Sequence, residues 1–415
     1  MYKAPVNSKF IGQGTYGCVY KPNVPCSGDK LPPSNDYISK IQRNTSEVEN
    51  EERLGKIISS KIRDYRVRFA PILESCRINI TEIDKREIDK CNIITKDIKK
   101  SKDYGLPIIT EYRSYKMKNA GKHSLGEYFI HTVNHSPKYL IKRLLTTHIY
   151  LLKSINRLIG LKEYPIVHYD LKENNIIYNQ SRKCPIIIDF GLSFEMKESQ
   201  PFSKEVAMDK YYVYYDKYPP WCIEIVLLSY ISQEFIGRDS GDIKSTIHPG
   251  DIQKMIQIVD NFIIKSDILK MGISTEEKRD FKDGWVSFLQ RFTEKTWEEL
   301  YYELQNSYVS WDSYSISVMY FFMIHDILYD NNIKSRLLTQ YENFLKKSIL
   351  AIPGPNQRTM RPFINGMVKE LRQISRNIKV DEYQSIVKGI SGISHAKQQY
   401  TLQKIKQRSI LEGTY

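Results

Sequence analysis

His168-Tyr169-Asp170-Leu171-Lys172-Glu173-Asn174-Asn175, followed after an apolar run by Asp189-Phe190-Gly191, is the stretch whose reading decides the fold. It gathers two carboxylates, an ammonium and an amide in a short window between strand-like segments, Tyr164-Pro165-Ile166-Val167 before it and Ile186-Ile187-Ile188 just ahead of Asp189. In-line phosphoryl transfer asks a protein chiefly for positioning and charge neutralisation. Asp170 can accept the proton of an incoming hydroxyl, and Lys172 can neutralise charge on the transferring group. Asn175, through its amide oxygen, and Asp189 can hold a divalent ion, and hard oxygens used beside phosphates suit Mg2+, or Mn2+ in its place. Singly, these residues are a turn aspartate, a solvated lysine and a capping asparagine. Their joint spacing is what selects the chemistry.

Upstream, Phe10-Ile11-Gly12-Gln13-Gly14-Thr15-Tyr16-Gly17-Cys18-Val19-Tyr20 carries the G-x-G-x-x-G spacing. In a dinucleotide-binding fold the third glycine opens a helix. Here Pro22, Pro25, Pro32 and Pro33 follow too densely for one. The alternative is a strand, a glycine hairpin and a second strand, whose backbone N–H groups can approach phosphates because no Cβ intervenes. Val19 then lies on the return strand against an adenine face. After an exposed loop, Pro22 to Asp36, Tyr37-Ile38-Ser39-Lys40-Ile41 reads as a third strand with Lys40 placed to hold phosphates.

Thr45 to Ile62 reads as a helix, capped by Thr45 or Ser46 and striped by Leu54, Ile57, Ile58 and Ile62. A glutamate beside that stripe can pair with Lys40. Glu51, one turn before Leu54, is the first choice, ahead of Glu47, Glu49 and Glu52. Between Ala70 and Tyr112 the pattern is irregular, with short strands expected at Ile78-Ile80, Ile93-Ile94 and Ile108-Ile109. Arg113 to Met117 is another strand, running into the joint Lys118-Asn119-Ala120-Gly121. Met117 borders the nucleotide pocket in this register, and Thr110-Glu111-Tyr112 is the rival register. Ser124 opens a helix, and a long amphipathic helix through Leu140 to Ile159 follows.

The chain has 415 residues, enough for two or three lobes with their own cores, and its apolar runs are far shorter than a membrane span. Neither a signal peptide nor a membrane segment is visible, which places it in the cytoplasm as a soluble protein. Six scattered cysteines without a zinc-type spacing read as reduced, metal-free thiols. A net charge of +14 favours acidic partners, nucleic acid among them, although no recognition module is visible and the oligomeric state is not legible.

These residues resemble the eukaryotic-type serine/threonine protein kinases, whose motif set includes the glycine loop, the strand lysine, the catalytic loop and the Asp-Phe-Gly triplet. The long insertions and biased composition are similar to those of kinases from large cytoplasmic DNA viruses, which implies host cytoplasm or virion. The resemblance covers most of 1 to 224 and resumes from 311 to about 375. It implies an α+β, bilobal fold: a small, mainly β N-lobe over 1–118, a larger, mainly α C-lobe over 119–379, and a terminal helix or tail over 380–415.

The resemblance also distributes roles. Ile11, Gly12, Gly14, Gly17 and Val19 match the phosphate loop, Lys40 the lysine holding the α- and β-phosphates, and Glu51 its helix partner, with Met117 beside the nucleotide. Asp170 matches the catalytic base, and Asn175 and Asp189 the metal ligands. The implied activity is ATP- and Mg2+-dependent transfer to Ser/Thr hydroxyls of a protein substrate. A pseudokinase scaffold, or a kinase of a small molecule or nucleic acid, is the alternative. Three departures stand out. Tyr169 replaces the arginine that reads a phosphorylated activation loop, so a serine such as Ser193, Ser199 or Ser203 loses its receiver and the loop is expected to be competent unphosphorylated. Ile38 stands where a small alanine is usual beside adenine, implying a tighter pocket or a shifted register at Lys40. The Ala-Pro-Glu triplet is absent, leaving Glu224 as its nearest equivalent.

Downstream, Trp311-Asp312 resembles the start of the buried central helix, with Asp312 tying down the backbone of the catalytic loop. Pro355-Asn356-Gln357-Arg358 resembles the segment whose arginine pairs with Glu224, and Arg361 is the fallback. Residues 225–310 form an insertion in place of a short connection. Ile225 to Phe235, Asp251 to Leu269 and Thr275 to Leu304 give it a mostly helical pattern, with aromatics that read first as core and then as a recognition surface.

Overall fold

The computed structural model describes residues 7–14, 17–26, 33–43, 46–107, 111–196, 201–353 and 363–411. The chain is α+β, with a small antiparallel sheet near the N-terminus and a helical C-terminal part. It divides into two compact units. One holds the described parts of Met1–His123, Asn175–Ser193 and Arg408–Tyr415, the other Ser124–Asn174 and Phe194–Gln407. The first boundary thus falls after His123, and Asn175–Ser193, which carries the Asp-Phe-Gly triplet, belongs with the first unit.

The first unit is built on a five-stranded sheet ordered β1-β2-β3-β5-β4. Its strands are β1 Lys9–Gln13, β2 Gly17–Lys21, β3 Tyr37–Gln42, β4 Ile72–Asn79 and β5 Glu111–Lys118. Side chains alternate across a strand, so residues paired in register share a face. One face carries Ile38, Ile72, Tyr115 and Met117 and packs on Val48 of helix α1, Ser46–Lys61. Gly55 allows this approach, because a Cβ there would stand 2.1 Å from the carbonyl oxygen of Ile72.

The opposite face carries Cys18, Tyr20, Ile41, Ile78 and Tyr112. It is covered by Ile80, Ile83, Ile88 and Cys91 and by Ile94 and Ile98 of helix α2, Asn92–Asp103. The strand expected at Ile93-Ile94 is therefore a helix. Ile94 and Ile98 are four residues apart, which makes one helical stripe against an apolar sheet face, and α2 has no strand neighbour to pair with. Ile108 and Ile109 lie outside the described residues, as do Thr45, the rival cap, and Thr110 of the rival register.

The expectation of six reduced thiols is also corrected. Cys18 bonds to Cys91 and Cys26 to Cys76, while Cys184 and Cys222 are free and buried. The sheet's second face and its covering layer bring these pairs together across 73 and 50 residues of sequence. Closing a loop of either length is worth roughly 4 kcal/mol in the chain-entropy account, and less than the sum here, because one loop lies inside the other.

A hairpin completes the unit: β6 Ile176–Asn179 pairs antiparallel with β7 Cys184–Ile187. Its outer strand is tied to the first unit's chain by a hydrogen bond from Ala70 N–H to the carbonyl of Ile187, 2.9 Å, and by one from Ile187 N–H to the carbonyl of Arg68, 2.8 Å.

The second unit is helical around Trp311–Ile327, every residue of which is buried. The long helix Leu140–Ile159 lies against it, joined by a 2.7 Å bond between the hydroxyls of Thr147 and Tyr320. Within 225–310 the chain continues from Ile223–Ser229 into a π-helix, Tyr230–Arg238, and then forms helices Pro249–Lys265, Thr275–Gln290 and Trp297–Gln305. Trp285, Trp297, Phe288 and Leu300 are buried, so the insertion's aromatics serve its core. Helices Val380–Ser391 and His395–Leu411 end the described chain. Among the described residues no helix is long and apolar enough to cross a membrane.

Candidate active-site residues

A single cross-strand row builds the first unit's cluster. Gly12 pairs with Val19, Val19 with Lys40 and Lys40 with Tyr115, which puts Val19 and Lys40 on one face of the sheet. Gly17 is required where it stands, since a Cβ would come within 2.7 Å of the carbonyl oxygen of Ile41. Gly12 and Gly14 instead face open space, with no atom within 4 Å of the position a Cβ would take. Ile11 is exposed. Thr15 and Tyr16 lie outside the described residues.

Lys40 Nζ lies 3.5 Å from Glu51 Oε2 and 3.2 Å from Asp189 Oδ1. Three distant stretches, a strand, a helix and the Asp-Phe-Gly turn, thus converge on one ammonium. Of the four candidate glutamates, Glu51 is the one on α1's buried stripe, with Val48, Leu54 and Ile58. Glu52 turns instead to Lys56 and Ser75, Glu49 is exposed, and the side chain of Glu47 is not among those described. Burial pushes the Glu51 carboxyl above the usual carboxylate range, against the pull of Lys40. The Lys40 ammonium is desolvated too, but Asp189 and then Glu51 outweigh that and hold it above its ordinary value. Ile38 sits on the same face, packed with Met117 and Val48, a bulky neighbour where the resemblance expects a small one.

Asn175 and Asp189 sit at one end of the β6–β7 hairpin, where the Asn175 carbonyl accepts from Ile188 N–H at 2.9 Å. Asp189 has φ of 62°, a left-handed conformation uncommon outside glycine. A carboxylate and an amide oxygen on adjoining backbone fit Mg2+, which keeps several waters and takes its other ligands from phosphates. Among the described residues no group of three or more His, Cys, Asp or Glu could hold a metal on its own.

In the second unit, Asp312 fixes the backbone before Asp170. Its Oδ2 accepts from His168 N–H at 2.8 Å and its Oδ1 from Tyr169 N–H at 3.0 Å, with all three residues buried. Tyr169 adopts φ of 70°, costly for an aromatic residue at about 1–3 kcal/mol. The two Asp312 bonds, and one from Trp221 Nε1 to the Tyr169 carbonyl at 3.1 Å, hold that turn. Replacing Asp312 by alanine leaves two buried N–H groups without an acceptor. The expected loss is about 2–4 kcal/mol of stability in urea unfolding, and a loss under about 0.5 kcal/mol would show that the turn holds itself.

Lys172 Nζ lies 3.2 Å from Asp170 Oδ1. Tyr218, which sequence reasoning missed, donates its hydroxyl to the same carboxylate oxygen and accepts from Lys172 Nζ at 2.9 Å. The one local hint was Tyr218-Pro219-Pro220-Trp221, whose prolines fix the backbone. Ser315 of the central helix anchors that segment by donating to the Pro220 carbonyl at 2.7 Å.

The Tyr169 ring is surrounded by aromatics: Phe194 and Trp221 with centroids at 5.0 Å, and Trp311 and Tyr211 at 6.4 and 6.5 Å. Burial raises its phenol well above the ordinary value. Of the candidate loop serines, Ser193 is buried, Ser203 caps helix Lys204–Lys210 through Val206 N–H, and Ser199 lies outside the described residues. Glu224 is buried and lines a cavity of about 440 Å³ whose wall includes Pro353 and Phe363. Arg358 and Arg361 fall in the undescribed stretch between those two residues. No protein-family model matches this sequence, and no curated protein matches it.

Proposed function

We propose that this chain is an ATP- and Mg2+-dependent serine/threonine protein kinase of bilobal fold. The observation that carries the reading is the convergence of Lys40, Glu51 and Asp189, residues 11 and 149 positions apart in the pairs they form with the lysine. A structural ion pair needs one acid, whereas here a buried glutamate holds the lysine and a second, half-exposed aspartate reaches the same ammonium.

In this reading the backbone of Gly12 and Gly14 and the ammonium of Lys40 bind the nucleotide phosphates, with Val19 and Met117 toward the base. Glu51 holds Lys40 in place. Asn175 and Asp189 would hold Mg2+, or Mn2+, which when bound neutralises charge on the phosphate oxygens. Asp170 takes the proton of the acceptor hydroxyl. Its oxygen already accepts from the Tyr218 hydroxyl, a donor of the same kind. Lys172, bonded beside it, balances charge on the phosphoryl group in transfer.

The aromatic packing around Tyr169 supports a loop competent without phosphorylation. An arginine there would need a phosphate to satisfy it, whereas the Tyr169 ring packs against its aromatic neighbours. The test is a panel of acceptors with phosphatase-treated protein. We expect label on serine or threonine of proteins and activity unchanged by the phosphatase. Label confined to polynucleotides or metabolites would overturn the substrate class, and activity abolished by phosphatase and restored by autophosphorylation would overturn the regulation.

A further inference from the structure

The first unit carries a second feature that phosphoryl transfer does not use. Arg66 in the turn after α1, Lys118 at the end of β5 and Arg182 in the β6–β7 turn lie together. Arg182 Nη1 donates to the Arg66 carbonyl at 2.6 Å, and Lys118 is the cross-strand partner of Tyr37. Two tyrosine rings interleave with the cations. The Arg66 guanidinium lies 5.7 Å from the centroid of Tyr65 and bonds its hydroxyl at 3.2 Å, and Lys116 Nζ lies 5.0 Å from the centroid of Tyr37.

Some of this unit's other surface cations are paired: Arg43 with Asp97, Lys90 with Glu87, Lys116 with Glu74. Among the described residues Arg66, Lys118 and Arg182 have no such carboxylate, and Asp36 is the one acid that acts on Lys118 from nearby. The Lys118 ammonium titrates below its ordinary value, first through desolvation and then through repulsion by Arg182 and Arg66. Like charges gathered from three elements of the fold cost the free protein stability that a bound anion returns.

We propose that Arg66, Lys118 and Arg182, with the rings of Tyr37 and Tyr65, form a binding surface for single-stranded nucleic acid. Guanidinium groups fork onto phosphate oxygens, and aromatic rings, here the half-buried Tyr37 and Tyr65, accept bases of any sequence, which together make a sequence-tolerant site. A bilayer surface would also attract the charge but needs apolar groups to enter it. Beside this cluster in sequence the exposed large hydrophobic residue is Val67, at 37% exposure, too small an anchor.

The test uses the full chain and a fluorescent 20-mer of oligouridylate, read by anisotropy from low to physiological salt. Neutralising three phosphates on a single strand gives a log–log salt slope of about −2. The Arg66→Gln/Arg182→Gln protein should fall to a slope of about −0.7 and bind at least about tenfold more weakly at low salt, while remaining folded by circular dichroism. Tyr65→Leu, which keeps every charge, should weaken binding without altering the slope. Equal binding by wild type and the double variant would overturn the proposal. So would no binding by wild type, or binding to phosphatidylserine vesicles that the oligonucleotide fails to compete. None of these readouts depends on whether the chain transfers phosphate.

Discussion

Asp170→Asn is expected to lower phosphoryl transfer by roughly 10²- to 10⁴-fold while leaving nucleotide affinity within about twofold of wild type, as loss of a general base does. The asparagine oxygen can still accept from Tyr218, and the backbone ahead of it is fixed by Asp312 rather than by its own side chain, so the fold should persist. The groups assigned to the phosphates, Gly12 on β1, Gly14 in the turn after it and Lys40 on β3, are untouched by the change. Transfer should be measured at saturating ATP and nucleotide affinity by calorimetry. A variant that keeps more than about a tenth of wild-type transfer, outside the range given for base catalysis, would remove Asp170 from the role of base.

Lys40→Met carries the second large effect, and it mixes chemistry with stability. Glu51 is 1% exposed, so removing its cation strands a buried carboxyl, at a cost of about 3–5 kcal/mol unless the group takes up a proton. Transfer should fall by about 10²- to 10³-fold, the scale seen when a charge-stabilising donor is lost. The double variant Lys40→Met/Glu51→Gln separates the two parts. It should recover most of the stability, because no charge is left buried, and none of the transfer. Recovery of transfer in the double variant would mean that Lys40 serves the fold and not the phosphates.

The central stretch was readable because its chemistry is compressed into a few residues and a turn. The same is true of Lys40, which β3 sets opposite Val19 of the return strand, and of Asp312, placed by the start of a helix with no polar face. Glu51 was readable only as one of four neighbours. What separates it is a three-dimensional fact, that α1's buried stripe extends one turn upstream of Leu54 to include it. Tyr218 left no pattern, since its role depends on Ser315 pulling Pro220 inward from 95 residues away. The cysteine pairs were hidden for a related reason. Cys18 and Cys91 meet because an apolar sheet face must be covered, and nothing at either position announces the other. Ile93-Ile94 misled because a short apolar run has no period of its own. Only the turn that follows, through Ile98, makes it helical.

Two disulfides in the sheet-bearing unit also bear on where the chain works, because such bonds persist in oxidising surroundings and are rare in a reducing cytosol. The expectation of free thiols rested on cysteine spacing, and that of a cytoplasmic protein on the lack of a visible signal peptide or membrane segment.

The most direct measurement is a single turnover: this protein in excess over γ-labelled ATP, with Mg2+ or Mn2+, and a mixed protein acceptor, quenched and mapped by residue. The account predicts label on serine or threonine hydroxyls that disappears in Asp170→Asn. No label on any protein under either metal, with nucleotide shown to be bound, would contradict it.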